Sequence, residues 1–171
     1  DETAILATVV DVVGSGYRRP GARMLIDRNG FAVGTVSGGC LEADVLERAK
    51  KVLESGDAAV ITYDTTKDED SVFGLGMGCR GIVRILLEKV ARDTEFLDFI
   101  SAKLKERRGC RVVTLVDGNV AGLKPGSRLM SDGESNLTTG FGSKETDEIA
   151  KSELSNGINR LSFGEVFLEN I

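Results

Sequence analysis

Gly38-Gly39-Cys40-Leu41-Glu42 sets a thiol between a glycine pair and the start of an apolar-periodic stretch. Glycine lets backbone approach a ligand closely, and a helix N-terminus offers unpaired N–H groups and the positive end of a dipole. The amides suit an anion. A cysteine there can be held as a thiolate near neutrality. The competing reading is a tight turn with a small cysteine packed under the helix. Two adjacent glycines and a thiol together exceed what a turn requires, so the ligand-facing reading is the working expectation.

A second stretch, Gly74-Leu75-Gly76-Met77-Gly78-Cys79-Arg80-Gly81, presents another cysteine on glycine-rich backbone beside an arginine. It contains a literal G-x-G-x-x-G at Gly76, Gly78 and Gly81. A dinucleotide fingerprint needs a strand before it and a helix after it. Here the polar stretch Asp64–Ser71 precedes and an apolar strand, Ile82–Leu87, follows, so no NAD or FAD site is expected. The third stretch is Tyr17-Arg18-Arg19-Pro20-Gly21-Ala22-Arg23. Guanidinium groups bind phosphate in a bidentate way, and Pro20-Gly21 fixes a turn able to aim them. Arg18 and Arg19 read equally well as solvated charges. Arg23 recurs as Arg128, which leaves a structural role open for it. Cys110 begins an apolar run and reads as a small buried side chain.

The elements that must hold these residues follow from periodicity. Ala4–Val13 and Ala58–Tyr63 read as strands. Arg23–Ile26 and Phe31–Thr35 flank Asn29-Gly30, a strong hairpin signal. Leu41–Glu54 carries Leu41, Val45, Ala49, Val52 and Leu53 on one helical face, with Gly56 as its stop. A second helix is expected over Thr94–Arg107, with Phe96, Leu97, Ile100 and Leu104 on one face and Gly109 as its stop.

The pattern then recurs. Pro20-Gly21-Ala22-Arg23-Met24 returns as Pro125-Gly126-Ser127-Arg128-Leu129, and Glu47-Arg48-Ala49-Lys50 is echoed by Glu148-Ile149-Ala150-Lys151. Matches in one order predict a duplicated lobe, each copy being several strands, a helix and two strands. The expected fold class is α+β with largely antiparallel sheets. The expected lobes are 1–90, which bears the cysteines, and 91–171, a degenerate partner with nothing like the stretch around Cys79.

Composition excludes several classes. The chain has no His, so Ser-His-Asp and Cys-His catalysis and His-based metal sites are ruled out. A net charge of −5 argues against a nucleic-acid partner. No apolar run is long enough to span a membrane and no signal peptide opens the chain, so no membrane association is expected. Three widely spaced cysteines fit a reducing, cytoplasmic setting better than a disulfide scaffold.

Taken together, "GSGYRRPGARMLID", "GTVSGGCLEADV" and "FGLGMGCRGIVRILLE" resemble the XdhC/CoxI family, densely over Leu6–Glu88 and loosely from Cys110 to Glu169. These are accessory factors for xanthine dehydrogenase and related molybdenum hydroxylases. The resemblance implies a chaperone that binds molybdenum cofactor, as molybdopterin or its nucleotide form. Such a chaperone protects the cofactor while a cysteine desulfurase sulfurates it, and helps insert it into the apo molybdenum hydroxylase. It places Arg18, Arg19, Arg23, Ser37, Gly38, Gly39, Cys40, Glu42, Gly76, Gly78 and Cys79 at the cofactor, with Cys40 as the candidate metal ligand. No residue is expected to be catalytic. Cys40 and Cys79 are expected on one face with Cα atoms within about 10 Å, and a disulfide would need less than roughly 7 Å.

Family members often continue into a C-terminal Rossmann domain, and this chain ends about where that domain would start. The expectation is a short member or a fragment. Gly16 stands where the family often has Ser, and Arg80 where a smaller residue is common. A homodimer is kept as one expected assembly. Two rivals remain: a thiol-based sulfur carrier or redox protein using Cys40 and Cys79, and a structural module whose glycines serve turns.

Overall fold

The apolar run near the start of the chain forms β1 (Thr3–Gly14), the central strand of an antiparallel sheet. β2 (Arg23–Ile26) and β3 (Ala32–Gly34) lie on one side of it. Helix α1 (Glu42–Ser55) leads to β4 (Ala59–Asp64) and β5 (Gly81–Ala91), which complete the order β3-β2-β1-β5-β4. A computed structural model describes residues 3–66, 80–92, 94–118, 122–132, 137–155, 160–162 and 164–171. The chain divides into two units, Asp1–Ala91 and Arg92–Ile171.

In the first unit Ile5, Ala7 and Val9 of β1 share a core with Met24, Ile26, Ile85 and Leu87. Helix α1 lays Val45, Ala49 and Val52 onto it, the face that the 3.6-residue period implies. Gly56, in the left-handed conformation, closes the helix and donates its N–H to Val52. A bulge at Val10 shifts the β1–β5 register, from Val9↔Ile85 to Asp11↔Arg84. The extra residue moves Val12, rather than Asp11, onto the core face.

The β2–β3 hairpin forms where expected but not through a two-residue turn. The Asp27 carboxylate accepts the N–H groups of Asn29 and Phe31, both at 2.8 Å, while its backbone N–H donates to the Phe31 carbonyl and its carbonyl accepts the Gly30 N–H. Only Gly30 has positive φ, at 83°. The Asp27 carboxylate organises this wider turn, and the strand begins at Ala32 rather than Phe31.

The second unit begins with α2 (Glu95–Glu106), followed by β6 (Arg111–Gly118), β7 (Arg128–Ser131) and β8 (Leu137–Thr139). Then come α3 (Lys144–Ser155), β9 (Arg160–Leu161) and β10 (Gly164–Asn170). Its sheet order, β8-β7-β6-β10-β9, has the same plan as the first, and its core holds Val113, Leu115, Leu129, Phe141 and Ala150. A bulge recurs too, at Val116, between Leu115↔Val166 and Asp117↔Glu165. The fold is thus α+β with two antiparallel sheets and three helices among the described residues.

α2 departs from expectation in two ways. Its left-handed stop is Arg107 (φ 54°), two residues before Gly109. The buried pair is Phe96 and Phe99, while Leu104 is 63% exposed. Lys103 stands over the Phe99 ring, its Nζ 5.9 Å from the centroid. Among the described residues no helix is long and apolar enough to cross a membrane.

Candidate functional site

The connection from β3 to α1 is pinned at two points by apolar side chains. Val36 and Leu41 are buried in the first core, and Gly38, Gly39 and Cys40 stand between them nearer the surface. Leu41 occupies the N-cap position of α1 in a helical conformation, so the helix starts without the usual capping side chain. α3 is different: there the Ser143 hydroxyl accepts the Thr146 N–H at 3.1 Å, an ordinary serine cap.

Ser37 and Glu42 organise the turn instead. The buried Ser37 Oγ accepts N–H bonds from Gly39 and Leu41, each 3.1 Å, and donates to the Glu42 carboxylate. Ser37 N–H donates to Glu42 Oε1 at 2.9 Å, and Thr35 Oγ1 lies 2.5 Å from the same oxygen. Burial alone would raise the Glu42 pKa. The donors from Ser37 and Thr35 outweigh it and hold the carboxyl at about 2. Glu42 is therefore ionised and placed at the positive end of α1. Among the described residues the Gly38 and Cys40 N–H groups keep no hydrogen-bond acceptor.

Beside this turn is a hollow whose rim carries Ser15, Tyr17, Arg18, Ser37, Cys40 and Thr65, with Val36 and Tyr63 in its lining. Its enclosed volume is about 30 Å³, enough for water and too small for a fused ring, so a larger ligand would lie across its mouth. Tyr63 fixes one wall: its buried hydroxyl donates to Asp44 at 2.6 Å, and Arg48 donates to the same oxygen. Burial first, and the Asp44 carboxylate second, push the phenol pKa up. Ser15 ties the rim to β5, donating its N–H to the Arg80 carbonyl and accepting the Arg80 N–H, both at 3.1 Å.

The expected site residues separate on this geometry. Ser37, Gly38, Gly39, Cys40 and Glu42 form one turn, and Arg18 shares the hollow with Cys40. Arg19 is exposed and lies outside that lining. Neither the Arg18 nor the Arg19 guanidinium makes an ion pair or hydrogen bond among the described residues. Arg23 turns away into the fold, donating from Nη1 to the Gly21 carbonyl at 3.1 Å. Gly76, Gly78 and Cys79, and with them the expected Cys40–Cys79 proximity, lie outside the described residues. Cys110 is buried at the start of β6, and burial pushes its thiol pKa up.

Tyr17 is the rim residue that sequence reasoning passed over. Its ring lies on Gly38, where a Cβ would stand 2.9–3.1 Å from three ring carbons. A signal was present: an aromatic residue directly before two arginines. Among the described residues no cluster of three potential metal ligands occurs, so Cys40 stands as a single thiol.

Comparison with known proteins finds similar chains. The model of the XdhC and CoxI family matches residues 1–64. A Bacillus subtilis protein, named as a probable xanthine dehydrogenase subunit, is 39% identical over 92 residues, 54% of this chain and 28% of that protein. An Escherichia coli protein, molybdenum cofactor insertion chaperone PaoD, is 30% identical over 105 residues, 61% of this chain and 32% of that one. The matches thus span about a third or less of these relatives. A crystal structure of a xanthine dehydrogenase from Bacillus halodurans superposes with a TM-score of 0.76 at 27% identity, over 99% of this chain and 48% of that chain. The match to the XdhC and CoxI family model over residues 1–64 includes the Ser37–Glu42 turn.

Proposed function

We propose that the first unit carries molybdenum cofactor as cargo, binding it across the Arg18–Cys40 hollow for delivery to an apo molybdenum hydroxylase of the xanthine dehydrogenase type. One observation carries the reading. Among the described residues a single thiol and a guanidinium without an ion pair line one hollow, and the backbone of Gly39 directly precedes the thiol. A Cβ built on Gly39 meets nothing within 4 Å, so backbone is open to a ligand there. The relatives' names, one a cofactor insertion chaperone and the other part of a xanthine dehydrogenase, point the same way.

The residues fit such a cargo. It carries a phosphate, a flat pterin and a soft dithiolene-bound metal. Arg18, with Arg19 next to it, suits the phosphate. The glycine backbone suits the pterin, and the Cys40 thiolate suits the metal or its sulfur. With one thiol at the rim among the described residues, Cys40 would guard the metal or add a ligand to it. In the finer version, supported by the family resemblance, the site shields the cargo while a cysteine desulfurase supplies its terminal sulfur.

The test is to purify the chain from cells that make the cofactor, then measure pterin emission after oxidation together with molybdenum by mass spectrometry. Both should co-purify, and Cys40→Ala should lose the molybdenum. Turnover of a sulfur donor with no bound pterin would instead favour a thiol-based sulfur carrier.

A further inference from the structure

We infer that Tyr17 is a stacking platform, on which the flat heteroaromatic ring of a phosphate-bearing ligand rests while Arg18 holds the phosphate. The inference deepens the reading above and rests on it for the ligand's class. Four observations converge on Tyr17.

The ring is placed, not free. It lies against the backbone of Gly38, the position where any side chain would collide with it. The segment carrying it is tied down by the paired Ser15–Arg80 hydrogen bonds. Yet Tyr17 is 63% exposed, in a chain with no Trp and only 5% aromatic residues. A large exposed ring held in position at the mouth of a hollow contributes little to the core.

The fold does not demand it. The second unit makes the same turn with Pro125-Gly126-Ser127-Arg128, and there Gly122-Leu123-Lys124 stand where the first has Tyr17-Arg18-Arg19. Leu123, the counterpart of Arg18, packs on the second core, and Gly122, the counterpart of Tyr17, brings no side chain at all, so the turn forms without an aromatic residue there.

The neighbours suit a ring with an anionic tail. The hollow is too small to admit a fused ring, so a flat ligand must lie over its mouth, where the Tyr17 ring is. Arg18 follows in sequence on the same rim, within reach of a phosphate. Stacking is tolerant of ring identity because any heteroaromatic has a π-face. The pterin of the cofactor and the base of its nucleotide form present the same chemistry.

Calorimetric titration of the full chain with neopterin monophosphate, CMP and GMP separates these sources. We expect Tyr17→Phe to bind the preferred ligand within about twofold of wild type. Tyr17→Leu should weaken it at least about fivefold, the lower end for stacking on an aromatic side chain. Gly38→Ala should weaken it similarly by displacing the ring, and neopterin emission should be quenched on binding only while residue 17 is aromatic. Thermal unfolding checks that Tyr17→Leu remains folded. Tyr17-dependent binding of the nucleotides but not the pterin would keep the platform and overturn the pterin reading. Equal affinity of wild type and Tyr17→Leu for every ligand would overturn the platform and leave cofactor binding standing. No binding of either class to wild type at millimolar concentration would also overturn it.

Discussion

Arg23 donates from its guanidinium to the carbonyl of Gly21, two residues back, at 3.1 Å. Arg128 does the same to Gly126, at 3.0 Å. The turns agree further. Gly21 and Gly126 have φ of 94° and 91°, and each donates its N–H to the residue before the bulge, Val9 or Leu115. Arg23→Ala should therefore cost stability on the order of 1–2 kcal/mol, the scale of a charged hydrogen bond. Arg18→Ala should cost almost none. Chemical denaturation compares them, and phosphate titration should show the reverse ranking.

Glu42 makes the stability of the first unit acid-sensitive. Its folded pKa is about 2, below its ordinary value of 4.5. A depressed carboxylate pKa contributes stability that is full above the unfolded value and lost as pH falls through the folded one. The loss should run from about pH 5 down to about pH 2. Glu42→Gln should flatten that slope. At neutral pH the variant should be less stable by on the order of 1 kcal/mol, discounted because the group is partly solvated.

Tyr63 and Asp44 join β4 to α1. Tyr63→Phe removes the hydroxyl from a buried position and takes one of the two side-chain hydrogen bonds from Asp44, so a loss of about 1 kcal/mol is expected. Asp44→Asn should cost at least as much, because Arg48 loses its ionised partner. A double-mutant cycle by thermal unfolding should give a coupling clearly different from zero.

The two described cysteines should behave oppositely. Cys40 is half-buried on the rim and should react with iodoacetamide in the native state. Cys110 is buried and should react only on unfolding. Cys40→Ala should leave the melting temperature nearly unchanged and abolish molybdenum retention. Cys110→Ala should lower stability by about 1 kcal/mol and leave retention intact. Protection of Cys110 but not Cys40 by bound cofactor would sink the site.

Much of this was legible in local pattern. The helix α1 face, its Gly56 stop and the repeated Pro-Gly-x-Arg turn each depend on residues close in sequence. Elements failed where a side chain acted outside its type. Arg107 takes a left-handed conformation expected of Gly109, and Lys103 stands over the Phe99 ring while Leu104 is exposed. The hairpin turn widened because Asp27, before the Asn29-Gly30 pair, captured its amides. The site was half legible. The Gly38-Gly39-Cys40 turn announces itself, whereas the Tyr17 contact with Gly38 joins distant positions that no local pattern links. Nor does the sequence say that the start of α1 is served by Glu42, a residue of the helix itself.

On the proposed function, the first unit must also release its cargo. With Glu42 seated at the positive end of α1, the helix dipole is largely answered before any phosphate arrives, and the grip on a phosphate would fall to exposed guanidinium groups. Such contacts weaken with ionic strength and exchange readily with water. The fixed negative charge beside them opposes permanent capture. On the proposed function, a loosely held anion passes to any recipient that offers a denser set of cations, so the Ser37–Glu42 turn would build surrender of the cargo into the place where it is held.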